Sequence, residues 1–197
     1  FYLSHEISTF NDGDFTAERF GEVYEGALVS GLGNIVARVV KMMSGFPSIS
    51  KPDDAALSRF PIKKDIDFLK SGEKAVSLEE ISVLVLLDNY VWPAYKKAME
   101  AYEISAASEI AFAFLRRLDE YIEDYQPYKL VKTDPESVKV ILWNLAYSLA
   151  SAAWMLKPFL PETSDKMLAS LGVVPDSTAE WTSFTAKEVP HLFPRMK

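Results

Sequence analysis

Apolar residues recur at intervals of three and four along most of the chain. Between positions 17 and 44 they are Phe20, Val23, Tyr24, Ala27, Leu28, Leu32, Ile35, Val36, Val39, Val40 and Met43, the spacing of one face of a long helix. Thr16 is its expected N-cap, Glu18 suits the first turn, and Ser44-Gly45-Phe46-Pro47 ends it. Gly31 and Gly33 lie inside this pattern, each costing about 1 kcal/mol relative to alanine. Close packing of a neighbouring helix is the expected reason for small residues there. A second helix is predicted over 79–101, with a kink or one-turn interruption at Trp92-Pro93. A third spans 103–125 and stops before Pro127, with Ala107, Ile110, Ala111, Phe114, Leu115, Leu118, Tyr121 and Ile122 on one side.

Asp134-Pro135 pairs an N-cap residue with proline at the first helical position. The helix it opens runs to about 157 and is apolar nearly all round. Asn144, Ser148 and Ser151 suit the central helix of a bundle better than a membrane span. Pro158-Phe159-Leu160-Pro161 breaks it, Glu162-Thr163 opens a short helix, and Gly172 caps that. Residues 47–78 hold Pro47, Pro52, Pro61 and Ser71-Gly72, and read as a connector with one or two helical turns. Asp12-Gly13 is a turn signal. With no strand-like alternation, the fold class is all-α, an antiparallel helix bundle. The expected division is a lead-in over 1–16, the bundle over 17–172 and a tail over 173–197 that packs on it. The opening Phe1-Tyr2-Leu3-Ser4 carries no basic leader and reads as the last turns of a helix that continues upstream.

Composition removes several chemistries. With no cysteine there is no disulfide, thiolate metal site or cysteine nucleophile, and His5 and His191 are too few for a histidine cage. No Gly-rich phosphate loop, serine elbow or histidine pair four apart is present. The carboxylate pairs Asp119 with Glu123 and Glu120 with Asp124 have helix spacing and read as a solvated face, and His5 as a surface or contact residue. No catalytic residue and no metal ligand is assigned. A net charge of −7 argues against a broad nucleic-acid coat or an anionic membrane as partner.

Local charge changes that picture. No acidic residue falls between Gly26 and Pro52, where Ser30, Asn34, Arg38 and Lys41 follow one another by four, four and three along one helical stripe. Residues 125–133 are equally free of acid and hold Tyr125, Gln126, Tyr128, Lys129 and Lys132. Amide, guanidinium and aromatic groups in such windows can read a few unpaired bases. A structural or protein-interaction bundle stays open beside that reading.

The same residues carry a resemblance. Phe10-x-Asp12-Gly13-Asp14-Phe15, Tyr24 and Leu28-x-x-x-Leu32-Gly33-Asn34-Ile35-Val36-x-Arg38 resemble the anticodon-binding domain of class I methionyl-tRNA synthetases. So do Tyr121 with Pro127-Tyr128-Lys129-Leu130, Leu156-x-Pro158-Phe159-Leu160-Pro161-Glu162-Thr163, and Leu192-Phe193-Pro194-Arg195. The Pro-Phe-x-Pro motif recurs in other class I synthetases, which keeps an anticodon-binding bundle of one of those as an alternative. The resemblance implies that Asn34 and Arg38 contact anticodon bases and that Tyr128, where the family has tryptophan, stacks on one. Ser30, Lys41, Asp119 and Lys129 are supporting candidates; Ser30 and Asp119 stand where many members have asparagine. It also implies a methionine-tRNA ligase whose ATP- and magnesium-dependent catalytic domain lies upstream, no cofactor in this piece, tRNA as partner, and a cytoplasmic location.

Overall fold

The computed structural model describes residues 1–7, 13–63, 80–174, 180–188 and 191–195. A short helix, α1 (Tyr2–Glu6), packs against a later helix through rings: Phe1 stacks on His5 at 5.0 Å, and both lie against Phe112. Asp12, half of the expected Asp-Gly turn, lies outside the described residues. The first long helix starts as its sequence dictates, with the Thr16 hydroxyl accepting from the Arg19 N–H at 3.1 Å. It is α-helical over α2 (Ala17–Val23), π-helical over Tyr24–Gly33, and α-helical again over α3 (Asn34–Met43).

That winding corrects the expected role of the glycines. A Cβ at Gly31 would stand 3.1 Å from the Gly26 carbonyl oxygen, and one at Gly33 would stand 3.1 Å from that of Leu28. Both contacts are five residues back, the separation a π-turn brings together. The other pressure on Gly33 is the Phe193 ring of the C-terminal tail, 3.3 Å away, and not a neighbouring helix. By length and composition the Ala17–Met43 helix could cross a membrane. Here its apolar residues Leu32, Ile35, Val36, Val39, Val40 and Met43 are buried in the core of the bundle.

Among its described residues the connector holds one short helix, α4 (Asp54–Leu57), capped by Asp53, and two strands, β1 (Ile49–Ser50) and β2 (Ile62–Lys63). Its Ser71-Gly72 stretch lies outside the described residues. β2 pairs antiparallel with β3 (Glu80–Ile81). The predicted second helix comprises α5 (Val83–Leu86), one π-helical turn over Leu87–Val91, and α6 (Trp92–Glu100). The interruption falls immediately before Trp92-Pro93, where proline cannot supply an N–H to the ladder.

α7 (Ile104–Tyr125) buries all eight residues that the spacing assigned to its inner face, and also Phe112 and Ala113, which α1 helps to cover. It ends at Gln126 in the left-handed conformation (φ 45°), before the single turn α8 (Pro127–Leu130). α9 (Pro135–Leu156) starts where the Asp134 carboxylate accepts from the Ser137 N–H. With 17 of its 22 residues buried, it is the axis of the bundle, touched by α3, α7 and α10 (Pro161–Ser170). Trp143 is fully buried and stacks on Tyr147 at 5.1 Å, whereas Trp154 is half-buried beneath the Lys157 ammonium. Gly172 follows α10 at φ 77°, where a Cβ would meet the Thr185 carbonyl oxygen at 2.7 Å, so only glycine fits. β4 (Ser183–Phe184) then pairs antiparallel with β1 and buries Phe184. The architecture is all-α, a helix bundle edged by two-residue ladders that periodicity is too coarse to detect.

One buried polar chain crosses the layers. Asn144 donates to the Tyr121 hydroxyl at 3.0 Å, and Tyr121 donates to the Phe60 carbonyl at 3.1 Å. Desolvation pushes the Tyr121 pKa up, so the phenol stays protonated and remains a donor. Tyr125 likewise donates to the Pro61 carbonyl at 2.8 Å. These bonds fasten the connector to the end of α7, next to the segment that carries Tyr128.

Candidate nucleic-acid interface

Ser30, Asn34 and Lys41 are exposed on the first long helix, with Arg38 half-buried among them. Leu32, Ile35, Val36, Val39 and Val40 turn inward. The polar stripe read from the spacing therefore exists, although its first member stands on π-helical and the rest on α-helical backbone. Tyr128 and Lys129 are on α8, presented to solvent by the left-handed residue Gln126 and the buried Pro127. The Tyr128 side chain is 45% exposed, and the Lys129 ammonium lies 6.0 Å from its ring centre.

Arg38 ties the stripe to α7, the helix that leads into α8. Arg38 donates to Asp119 Oδ1 at 2.6 Å and to Glu123 Oε1 at 2.5 Å. Asp119 and Glu123 are four residues apart on α7, so both carboxylates face the same guanidinium. The hydrogen bond to Glu123 raises the Arg38 pKa most, against desolvation, and the charges of Asp119 and Glu123 raise it further. Tyr128 is close enough to Arg38 to add to the same effect. Asn34 and Arg38 thus stand on a helix bonded to α7, and Tyr128 on the turn that follows α7, some ninety residues further on.

This geometry corrects one reading of the charge pattern. The stretch around Arg38 is free of acid in sequence but not in space, because α7 supplies two carboxylates. The carboxylate pairs do lie on a solvated face, where Glu120 also pairs with Arg117 and Asp124 with Lys63. Glu123 is a partner of Arg38 that sequence reasoning missed. Its spacing from Asp119 was visible; the register of α7 against the first helix was not. His5 proves a contact residue, with Nδ1 3.1 Å from the Ser108 hydroxyl.

A cleft of about 440 Å³ adjoins the pair. Gly26, Ser30 and Ile35 line one wall, while Phe112, Asp119 and Glu120 line the other. Ser30 and Asp119 therefore border one space. Lys41 stands a turn beyond Arg38, and no contact places it in the cleft. Among the described residues no group of three histidine, aspartate or glutamate side chains could hold a metal ion.

The tail reaches the same helix. The Tyr24 hydroxyl donates to the Pro194 carbonyl at 2.8 Å, and its ring meets that of Phe193 edge-on. Residues that share the resemblance at opposite ends of the chain thus touch one another.

Comparison with known proteins points to one family. Residues 74–195 match the family described as the anticodon binding domain of methionyl tRNA ligase. The methionine–tRNA ligase of Bacillus subtilis is 31% identical over 100% of this chain and 28% of its own length. That of Clostridium acetobutylicum is 30% identical over 94% of this chain and 26% of its own length. This chain therefore spans little more than a quarter of those relatives. The fold is similar to that of the apo form of Mycobacterium tuberculosis methionyl-tRNA synthetase, with a TM-score of 0.75 at 21% identity over 100% of this chain and 38% of that one. With more than half of its residues matched to one family, this chain belongs to the anticodon-binding domains of methionyl-tRNA ligase.

Proposed function

We propose that this chain reads the anticodon loop of methionine tRNA as part of a methionine–tRNA ligase. The observation that carries the reading is the polar stripe of Ser30, Asn34 and Arg38, bonded through Arg38 to α7, together with the exposed Tyr128 ring on the turn that follows α7. An amide and a guanidinium can bond base edges, and a ring can stack on an unpaired base. Asp119 and Glu123 hold Arg38 in place before RNA arrives, so a bound base must share the guanidinium with them or displace them. Lys129 beside Tyr128 offers a phosphate contact, and Ser30 a hydroxyl at the mouth of the cleft.

In this proposal residues 17–172 form the reading bundle, 1–16 lead in from an upstream catalytic domain, and 173–197 brace the bundle. ATP, magnesium and the ligase chemistry belong, in this proposal, to the upstream domain.

The test is a titration with anticodon stem-loops carrying the methionine anticodon or a scrambled one. The chain should prefer the first. Tyr128→Ala should lose about 1–3 kcal/mol of stacking, whereas Tyr128→Trp should hold or gain affinity. Equal affinity for the two loops would remove the anticodon reading and leave the protein-interaction alternative in its place.

A further inference from the structure

The ten-residue π-helical segment Tyr24–Gly33 is held at both ends by Phe193, and at its first residue by Pro194 as well. At its first residue, the Tyr24 hydroxyl bonds the Pro194 carbonyl at 2.8 Å, and the Tyr24 and Phe193 rings are 6.3 Å apart at 85°. At its last residue, Phe193 Cδ2 lies 3.3 Å from the place a Cβ of Gly33 would take. Phe193 is buried although it is four residues from the last residue of the chain. No other described residue of 191–195 is buried.

Such a grip has a physical consequence. π-Helix occurs mostly as single-turn bulges, often at functional sites, because its hydrogen-bonded ring is wider than the α-helical one. Ten consecutive residues of it need an external reason to persist. Rewinding the segment as α-helix would lengthen it and rotate one end against the other. Tyr24 and Gly33 could not then both keep their places on Phe193 and Pro194. Ser30 lies inside the segment and Asn34 directly follows it, so its winding decides where both are aimed relative to Arg38.

We infer that the Phe193-Pro194 tail is a clasp that fixes the winding of Tyr24–Gly33, making Tyr24 and Phe193 positioning residues for recognition by Asn34 and Ser30. The inference rests on the proposed anticodon reading for its functional half only. Neither residue touches the RNA in this account; each acts through the backbone of the segment.

The experiment has two arms, both on the whole 197-residue chain. Amide hydrogen exchange without RNA compares wild type with Tyr24→Phe, which deletes one hydroxyl and keeps the ring, and with Phe193→Ala. Exchange should rise about threefold to tenfold over residues 28–36 in both variants, and stay unchanged in the centre of α9. The second arm titrates both stem-loops. Tyr24→Phe should weaken binding of the methionine loop about threefold to tenfold and leave the scrambled loop unchanged, while Phe193→Leu should recover part of what Phe193→Ala loses. Val138→Ala, a core change outside the clasp, should lower thermal stability without altering the ratio between the loops. Unchanged exchange over 28–36 in both variants would overturn the clasp, whatever the RNA result. Faster exchange with unaltered loop preference would overturn its positioning role. A wild type that does not discriminate between the loops would remove the anticodon reading, and the exchange arm would still decide the clasp.

Discussion

Arg38 is a cation shared between the protein and the ligand it is proposed to read. Two carboxylates hold it at 2.5 and 2.6 Å, yet its side chain is still 30% exposed. Removing it therefore does two things: a base loses its donor, and Asp119 and Glu123 are left unpaired beside an incoming polyanion. Arg38→Ala should cost about 1–3 kcal/mol of discrimination for the methionine anticodon. Asp119→Asn should act oppositely. It keeps an acceptor for the guanidinium, loosens the hold on it and deletes a negative charge, so binding should tighten about twofold to fivefold. Stem-loop titrations of the two variants check the signs, and weaker binding by Asp119→Asn would show that the carboxylate is itself a required contact. His5 gives a pH signature of a different kind. Burial lowers its pKa from the ordinary 6.5, outweighing Glu109 and Glu6, which raise it. The folded state then binds fewer protons than the unfolded one, so stability is complete above about pH 6.5 and is lost as pH falls through the folded value. Hydrogen exchange should show α1 loosening as pH falls below about 6.5, and His5→Phe should flatten that dependence. An α1 equally protected across this range would contradict the assignment.

At the level of elements, the legible features were those that local chemistry sets. Thr16 and Asp134 cap helices where their side chains can reach N–H groups, and Pro127 and Pro161 bracket helices because proline lacks one. The apolar face of α7 followed directly from its spacing. What escaped was whatever depends on two segments meeting. The π-helical segment fits the same apolar pattern as an α-helix, so Gly31 and Gly33 marked a peculiarity without naming it. β1 and β2 are two residues each and exist only through partners far along the chain. The two tryptophans of α9 show the same limit, since composition treats them alike and burial separates them. Trp143→Ala should cost about 3–5 kcal/mol. Trp154→Ala should cost less, because part of that ring is already in water under Lys157. Denaturant midpoints decide this, and equal losses would mean that Trp154 is as enclosed as Trp143.

For the molecule as a whole, the net charge of −7 sets the electrostatic character of the proposed recognition. Arg38 is already paired with two carboxylates, and Lys41 and Lys129 are the exposed cations on the stripe and on α8. Few phosphates can be neutralised, so log affinity against log salt should fall with a shallow slope, about one to three phosphates' worth. A slope of six or more would reveal a broad basic footprint elsewhere. The candidate residues Asn34, Arg38 and Tyr128 could be named from the sequence through the family resemblance, and their spacing along a helix explained two of them. The hold on Arg38 could not be read there, because it depends on the register of α7, which carries Asp119 and Glu123, against the first helix. The most direct measurement is a backbone and side-chain NMR titration of the labelled chain with the methionine stem-loop. The largest shifts should cluster at Asn34, the Arg38 guanidinium and Tyr128, and the scrambled loop should not reproduce them. Shifts centred away from those residues, or the same shifts with both loops, would contradict the proposed recognition.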